Sequence, residues 1–161
     1  MVPKPSAGVL LHRGEGDAQQ VLLAHMGGPF WVNKDDGAWS IPKGEYDPGE
    51  DPFSAARREF EEELGSPPPL AVYRALGSIT VPSGKLVTVW AVEGDFDVSA
   101  AISNTFEIEW PPRSGRLTSF PEVDRVDWFT LEVARTKLVR GQQAFLDRLV
   151  ADPGAGSPRA G

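Results

Sequence analysis

The sequence predicts an α/β domain, because strand-like apolar runs alternate with helical segments and the central helix carries both a start and a stop signal. A chain of 161 residues can bury one sizeable core but is short for two domains. One domain over residues 1–150 is therefore expected, followed by a disordered tail at 151–161, where Gly, Pro and Ser dominate.

The elements follow in order. Ser6–His12 and Gln20–His25 are short runs rich in Val and Leu, separated by the turn-forming Arg13–Ala18, and predict two strands. The glycines, proline and acids of Met26–Ala38 predict a loop, which leads into a short strand at Trp39–Ile41. Asp51 followed by Pro52 opens a helix: the carboxylate accepts from free backbone N–H groups, and proline at the first position sacrifices no intrahelical bond. Gly65 and the prolines at 67–69 end it, so the helix spans Pro52 to Leu64. Ala71–Val81 and Leu86–Val92 form a hairpin through Pro82–Lys85, and Arg125–Phe129 adds a strand. Pro82 is explained by that turn. The segment Asp95–Val123 shows no clear pattern. Leu131–Val150 has helical apolar spacing interrupted at Gly141, which predicts two helical pieces.

Composition excludes several functions. A net charge of −7 opposes a broad contact with a nucleic acid polymer and with an anionic membrane surface. Without cysteine there are neither disulfides nor thiolate metal sites. Pro3 and Pro5 interrupt any signal-peptide core, and no run approaches the roughly 20 apolar residues of a membrane span. A soluble cytoplasmic protein is expected. His12 and His25 fall in or beside predicted strands without ligand spacing, which favours packing over metal binding.

On a helical wheel Phe53, Ala56, Phe60 and Leu64 share one arc, which sets the face turned to the core. Glu59, Glu62 and Glu63 then lie on a neighbouring arc, related by i+3 and i+4, while Glu61 points elsewhere. Like charges at these spacings cost a few tenths of a kcal/mol per pair, and the negative end of the helix dipole adds to the cost. A hard divalent ion with a preference for oxygen removes that cost, and Mg²⁺ commonly shares such carboxylates with substrate phosphates. A solvated acidic face is the simpler account of an isolated EEE run. The surrounding residues argue against it.

Gly44, Glu50, Arg58, Glu59, Phe60, Glu62, Glu63 and Gly65 fit Gx5Ex7REUxEExGU, with U a bulky apolar residue. This resembles the Nudix box at each fixed letter; Ser66 stands where the pattern has an apolar residue, a departure that leaves the ligands untouched. The resemblance covers about Ser6 to Val150 and implies a Nudix fold, an α/β/α sandwich around a mixed β-sheet. It implies that Glu59, Glu62 and Glu63 hold Mg²⁺, with Mn²⁺ as a second candidate, and that the Lys43 carbonyl joins them. Arg58 matches the arginine that orients the adjacent glutamate, which with Glu59 and Glu62 makes up the expected catalytic set. Glu50 braces the loop, and Gly44 permits a tight backbone path before the helix. The Lys43 ammonium either meets a phosphate or is solvated. The general base is open among Glu59, Glu107, Glu109 and Glu122.

Asn104–Arg116 carries Trp110, Arg113 and Arg116 beside glycine and proline. This loop either stacks a base and grips a phosphate or leaves Trp110 in the core and the arginines in solvent. Trp31 poses the same choice, whereas Trp39 is expected in the core. The stretch WSIPKGEYDPGE resembles branches that cleave dinucleoside polyphosphates, so the expected partner is a small-molecule diphosphate. Two other readings are an enzyme for a non-nucleotide diphosphate, such as an inositol pyrophosphate, and a catalytically silent binding module. The oligomeric state is not legible.

Overall fold

A computed structural model describes residues 3–151 and 159–160. Strand β1 (Ser6–Arg13) is its axis, and six of its eight residues are buried. Its partners are β6 (Leu86–Glu93), in parallel, and β2 (Gln20–Met26) and β4 (Lys43–Glu45), both antiparallel. The eight-stranded sheet runs β10-β5-β6-β1-β2-β3, where β3 is Trp39–Ser40, β5 is Val72–Thr80 and β10 is Arg159–Ala160. Strand β9 (Val123–Thr130) pairs with β2, and β4 with β1. β1 and β2 read as continuous apolar runs because helices cover both faces of the sheet.

Those faces divide the core in two. Val9 and Leu11 of β1 and Leu22 and Ala24 of β2 pack against Ala55, Ala56, Phe60 and Leu64 of helix α1 (Pro52–Leu64). The intervening Leu10, Val21 and Leu23 turn to Ala134 of α2 (Leu131–Lys137) and to Phe145, Leu146 and Leu149 of α3 (Gln143–Val150). This is the expected α/β/α sandwich around a mixed sheet.

Helix α1 begins and ends where its sequence indicates. The Asp51 carboxylate accepts from Ser54 N at 3.0 Å, and Gly65 adopts φ 82°, the left-handed turn in which a side chain is strained. Two carbonyls of its last turn find partners downstream: Leu64 O accepts from Ile102 N at 3.0 Å, and Glu62 O from Asn104 N at 3.1 Å. Residues 102–104 thus form a strut against the helix end.

The unassigned segment contains a second, two-stranded sheet, in which β7 (Thr105–Glu109) pairs with β8 (Leu117–Pro121). β7 alternates, with Phe106 and Ile108 half-covered between exposed Thr105, Glu107 and Glu109, but β8 exposes Leu117 and half-covers Thr118, so only one strand of the pair shows the pattern. The expected tail differs at one point, since Arg159–Ala160 pair with Tyr73 and Val72 of β5. Its residues 152–158 and 161 lie outside the described residues. No helix among the described residues is long and apolar enough to cross a membrane.

Because Phe60 is fully buried, Phe60→Ala is expected to cost about 3–5 kcal/mol, against about 1 kcal/mol for Asp51→Ala at the helix cap. Urea unfolding of the two variants checks both the size and the order.

Candidate active site

The site assembles where the C-terminal half of α1 passes β4. β4 is held to β1 by the pairs Ser6–Glu45, Ala7–Gly44 and Gly8–Lys43, and α1 packs on the same strand, so helix and strand lie side by side. A side chain at Gly44 would meet the Glu59 carboxylate at 2.0 Å. Glycine is needed here for space: the carboxylate lies directly against its Cα.

Arg58 organises the acids. Its Nη1 donates to Glu59 Oε1 at 3.0 Å and to Glu62 Oε1 at 3.2 Å, while Nη2 donates to both oxygens of Glu50 at 3.3 and 3.0 Å. Glu50 also accepts from Asp47 N at 3.2 Å, so it links the loop before α1 to Arg58 on the helix. Glu63 Oε1 accepts from Lys43 N at 3.3 Å. One oxygen each of Glu59, Glu62 and Glu63 takes no part in these bonds. Among the described residues, no three acidic or imidazole groups are drawn into a metal-binding cluster; Arg58 instead gathers Glu50, Glu59 and Glu62.

Burial sets the electrostatics. Glu59 is only 9% exposed, and burial, then the Glu62 charge, raises its pKa against the pull of Arg58. Glu63 is pushed up to about 8 by burial, opposed by the Lys43 charge and the Lys43 N–H bond. Burial in turn lowers the Lys43 ammonium, against the attraction of Glu63. Glu122, at the start of β9, is also raised, by burial and then by Glu62, and its charge acts on Glu59 and Glu63. Its backbone places it: Glu122 N donates to Asn104 O at 2.8 Å, on the strut that caps α1. Four carboxylates facing two cations, each box acid with an oxygen to spare, form a donor set that fits a hard divalent ion.

The structure separates the acids left open by the sequence. Only Glu122 of the later three reaches the box. Glu109 accepts from Arg113 N at 2.9 Å and Gly115 N at 3.2 Å at the far end of the hairpin, and Glu107 is exposed on β7. Trp110, Arg113 and Arg116 occupy that same tip, about 16 Å of strand beyond the strut. Trp110 packs edge-on against Phe30, with ring centroids 5.4 Å apart. No described hydrogen bond or ion pair joins these three residues to α1; the contact of Trp110 is with the β2–β3 loop instead. Trp39 is in the core, and His25 is buried between Asp124 Oδ1 and Lys34 O at 2.7 and 2.6 Å, a packing role as expected. The residue missed by sequence reasoning is Arg140: a cavity of about 440 Å³ beside Lys43 includes it in its wall, together with Trp31, which the sequence leaves open between stacking and packing. The only sequence signal of Arg140 is a cation at a helix break.

Comparison with known proteins agrees with this geometry. A family model described as the NUDIX domain matches residues 2–149, and the chain belongs to the Nudix family of phosphoric anhydride hydrolases. An RNA pyrophosphohydrolase of Rhodospirillum rubrum is 27% identical over 94% of both chains. In fold, the chain is similar to an Ap4A hydrolase of C. elegans, with a TM-score of 0.62 at 22% identity over 93% of this chain and 98% of that one. It is also similar to the NUDIX domain of Shewanella oneidensis NrtR, solved with ADP ribose, with a TM-score of 0.62 at 16% identity over 92% and 87%.

Two outcomes are expected. Folding favours the protonated form of Glu63, so with chelator present stability falls as pH rises from its ordinary value of 4.5 to about 8, and Glu63→Gln flattens that dependence in thermal melts. Gly44→Ala displaces the Glu59 carboxylate, and at least about a tenfold loss of turnover is expected, with a smaller Mg²⁺-induced rise in melting temperature.

Proposed function

We propose that the chain hydrolyses a diphosphate linkage in a nucleoside diphosphate-linked compound with Mg²⁺, a dinucleoside polyphosphate being the first candidate. The observation that carries this reading is the set of carboxylates Glu59, Glu62 and Glu63, held on one face of α1 by Arg58 and Lys43, with Glu122 set beside them by the strut. Glu59, Glu62 and Glu63 would hold the ion, which stabilises the charge that spreads over the phosphate oxygens. Arg58 keeps Glu59 and Glu62 oriented, and Lys43 offers a cation to the phosphate chain. Water attacks phosphorus, the bond from phosphorus to the bridging oxygen breaks, and the water proton passes to a carboxylate. Glu122 and Glu59 suit that last role, because burial raises the pKa of each toward neutrality.

The dinucleoside polyphosphate is supported by the likeness to the Ap4A hydrolase structure and by the PKG sequence entering the box. The RNA pyrophosphohydrolase relative supports a second reading, in which the diphosphate lies at the 5′ end of an RNA; the net charge of −7 weighs against a long polyanion.

A panel of diadenosine polyphosphates, ADP-ribose, nucleoside triphosphates, inositol pyrophosphates and 5′-triphosphorylated RNA, with Mg²⁺ and with chelator, tests the proposal. Chelator-sensitive release from a diadenosine polyphosphate is expected, and Glu62→Gln should lower it by about a hundredfold or more with melting little changed. Wild-type turnover in Glu62→Gln would remove that residue from the metal set. Preference for the RNA or the inositol compound would replace the substrate assignment.

A further inference from the structure

Lys43 connects the carboxylates to a second feature. Its backbone N–H is bonded to Glu63, and its side chain lines the cavity of about 440 Å³ between the β2–β3 loop, the β5–β6 turn and the segment joining α2 to α3. That volume lies within the roughly 300–1,000 Å³ of small-molecule sites. Met26, Val87 and Val139 give the cavity apolar walls, and Trp31 adds an aromatic ring. Trp31 is braced: it is half-buried against the core, and Lys34 Nζ lies 5.1 Å from its ring centroid. Arg140 is an exposed cation on the lining, and among the described residues it makes no ion pair or side-chain hydrogen bond. In a chain of net charge −7, an unopposed guanidinium and an aromatic ring on the lining of one cavity suit a ligand with both a flat apolar part and a negative charge.

We infer that this cavity seats the nucleoside half of the substrate, with the base stacked on Trp31, the diphosphate leading past Lys43 to the carboxylates, and a phosphate meeting Arg140. The inference rests on the nucleotide hydrolase reading and sharpens it. An inositol pyrophosphate has no flat apolar face and would leave the walls formed by Trp31, Met26 and Val139 without a partner. Gln142, at the back of the cavity, is tied to the core: its Oε1 accepts from Ile41 N at 3.0 Å and its Nε2 donates to Ser40 Oγ at 3.1 Å.

Calorimetry with AMP, adenosine and inositol hexakisphosphate, in chelator, tests the cavity without requiring turnover. Wild-type protein is expected to bind AMP more tightly than adenosine and more tightly than inositol hexakisphosphate. Trp31→Ala should weaken AMP and adenosine alike by about tenfold, the scale of a lost base–aromatic stack, while Trp31→Phe retains most of the affinity. Arg140→Ala, at an exposed position that leaves the core untouched, should weaken AMP by about tenfold and adenosine hardly at all. With diadenosine tetraphosphate and Mg²⁺, both alanine variants should show the defect mainly in KM. The inference is overturned if wild-type protein prefers inositol hexakisphosphate, or if AMP affinity is unchanged in both alanine variants. AMP binding that depends on Trp31 in a protein without Mg²⁺-dependent turnover would uphold the cavity and reject the hydrolase reading.

Discussion

Negative charge held close to a hydrophobic core is the condition on which the rest of the site depends. Glu59 and Glu63 project from the same helix that buries Phe60 and Leu64, and they lie at the helix end where the dipole repels them. The neighbouring contacts temper this burden. Arg58 divides its guanidinium among three carboxylates, Lys43 supplies a backbone donor and a charge to Glu63, and Gly44 leaves room for Glu59. What they leave uncompensated is a set of oxygens suited to a small, hard cation.

The sandwich gives this arrangement its rigidity. With β1 buried on both faces, α1 is fixed on one side through Phe60 and Leu64, and β4 is fixed by pairing with β1. Acids on the helix and the lysine on the strand therefore meet without depending on a flexible loop for their approach. Only Glu122 comes from a distant part of the chain, and the strut at residues 102–104 places it.

The parts legible in the sequence are those whose signals are local. Helix α1 was readable to the residue because Asp51, Pro52 and Gly65 each act within one turn, and the carboxylate face followed from its apolar stripe. Strands β1 and β2 were readable as apolar runs. The hairpin β7–β8 was not: only β7 alternates, β8 exposes Leu117 and half-covers Thr118, and the turn between them lies among prolines and arginines that suggested a binding loop. Trp31 was visible as an aromatic that either stacks or packs, but its pairing with Arg140 was not: the two are over 100 residues apart and share a wall only because the sheet returns the chain to the same edge. Glu122 was visible as a candidate, but its selection over Glu107 and Glu109 required the strut.

The strut also divides the molecule into parts that can vary separately. The chain leaves α1 at Gly65 and returns to its last turn at Ile102, so the intervening excursion, including the Val81–Lys85 turn, is closed at its base as seen from the carboxylates. That turn lines the cavity beside Lys43. Lengthening it would reshape that cavity while the acids stay in register. Part of the cavity wall and the register of the acids are thus set by different stretches of one chain, which leaves the first open to evolutionary drift under a fixed second.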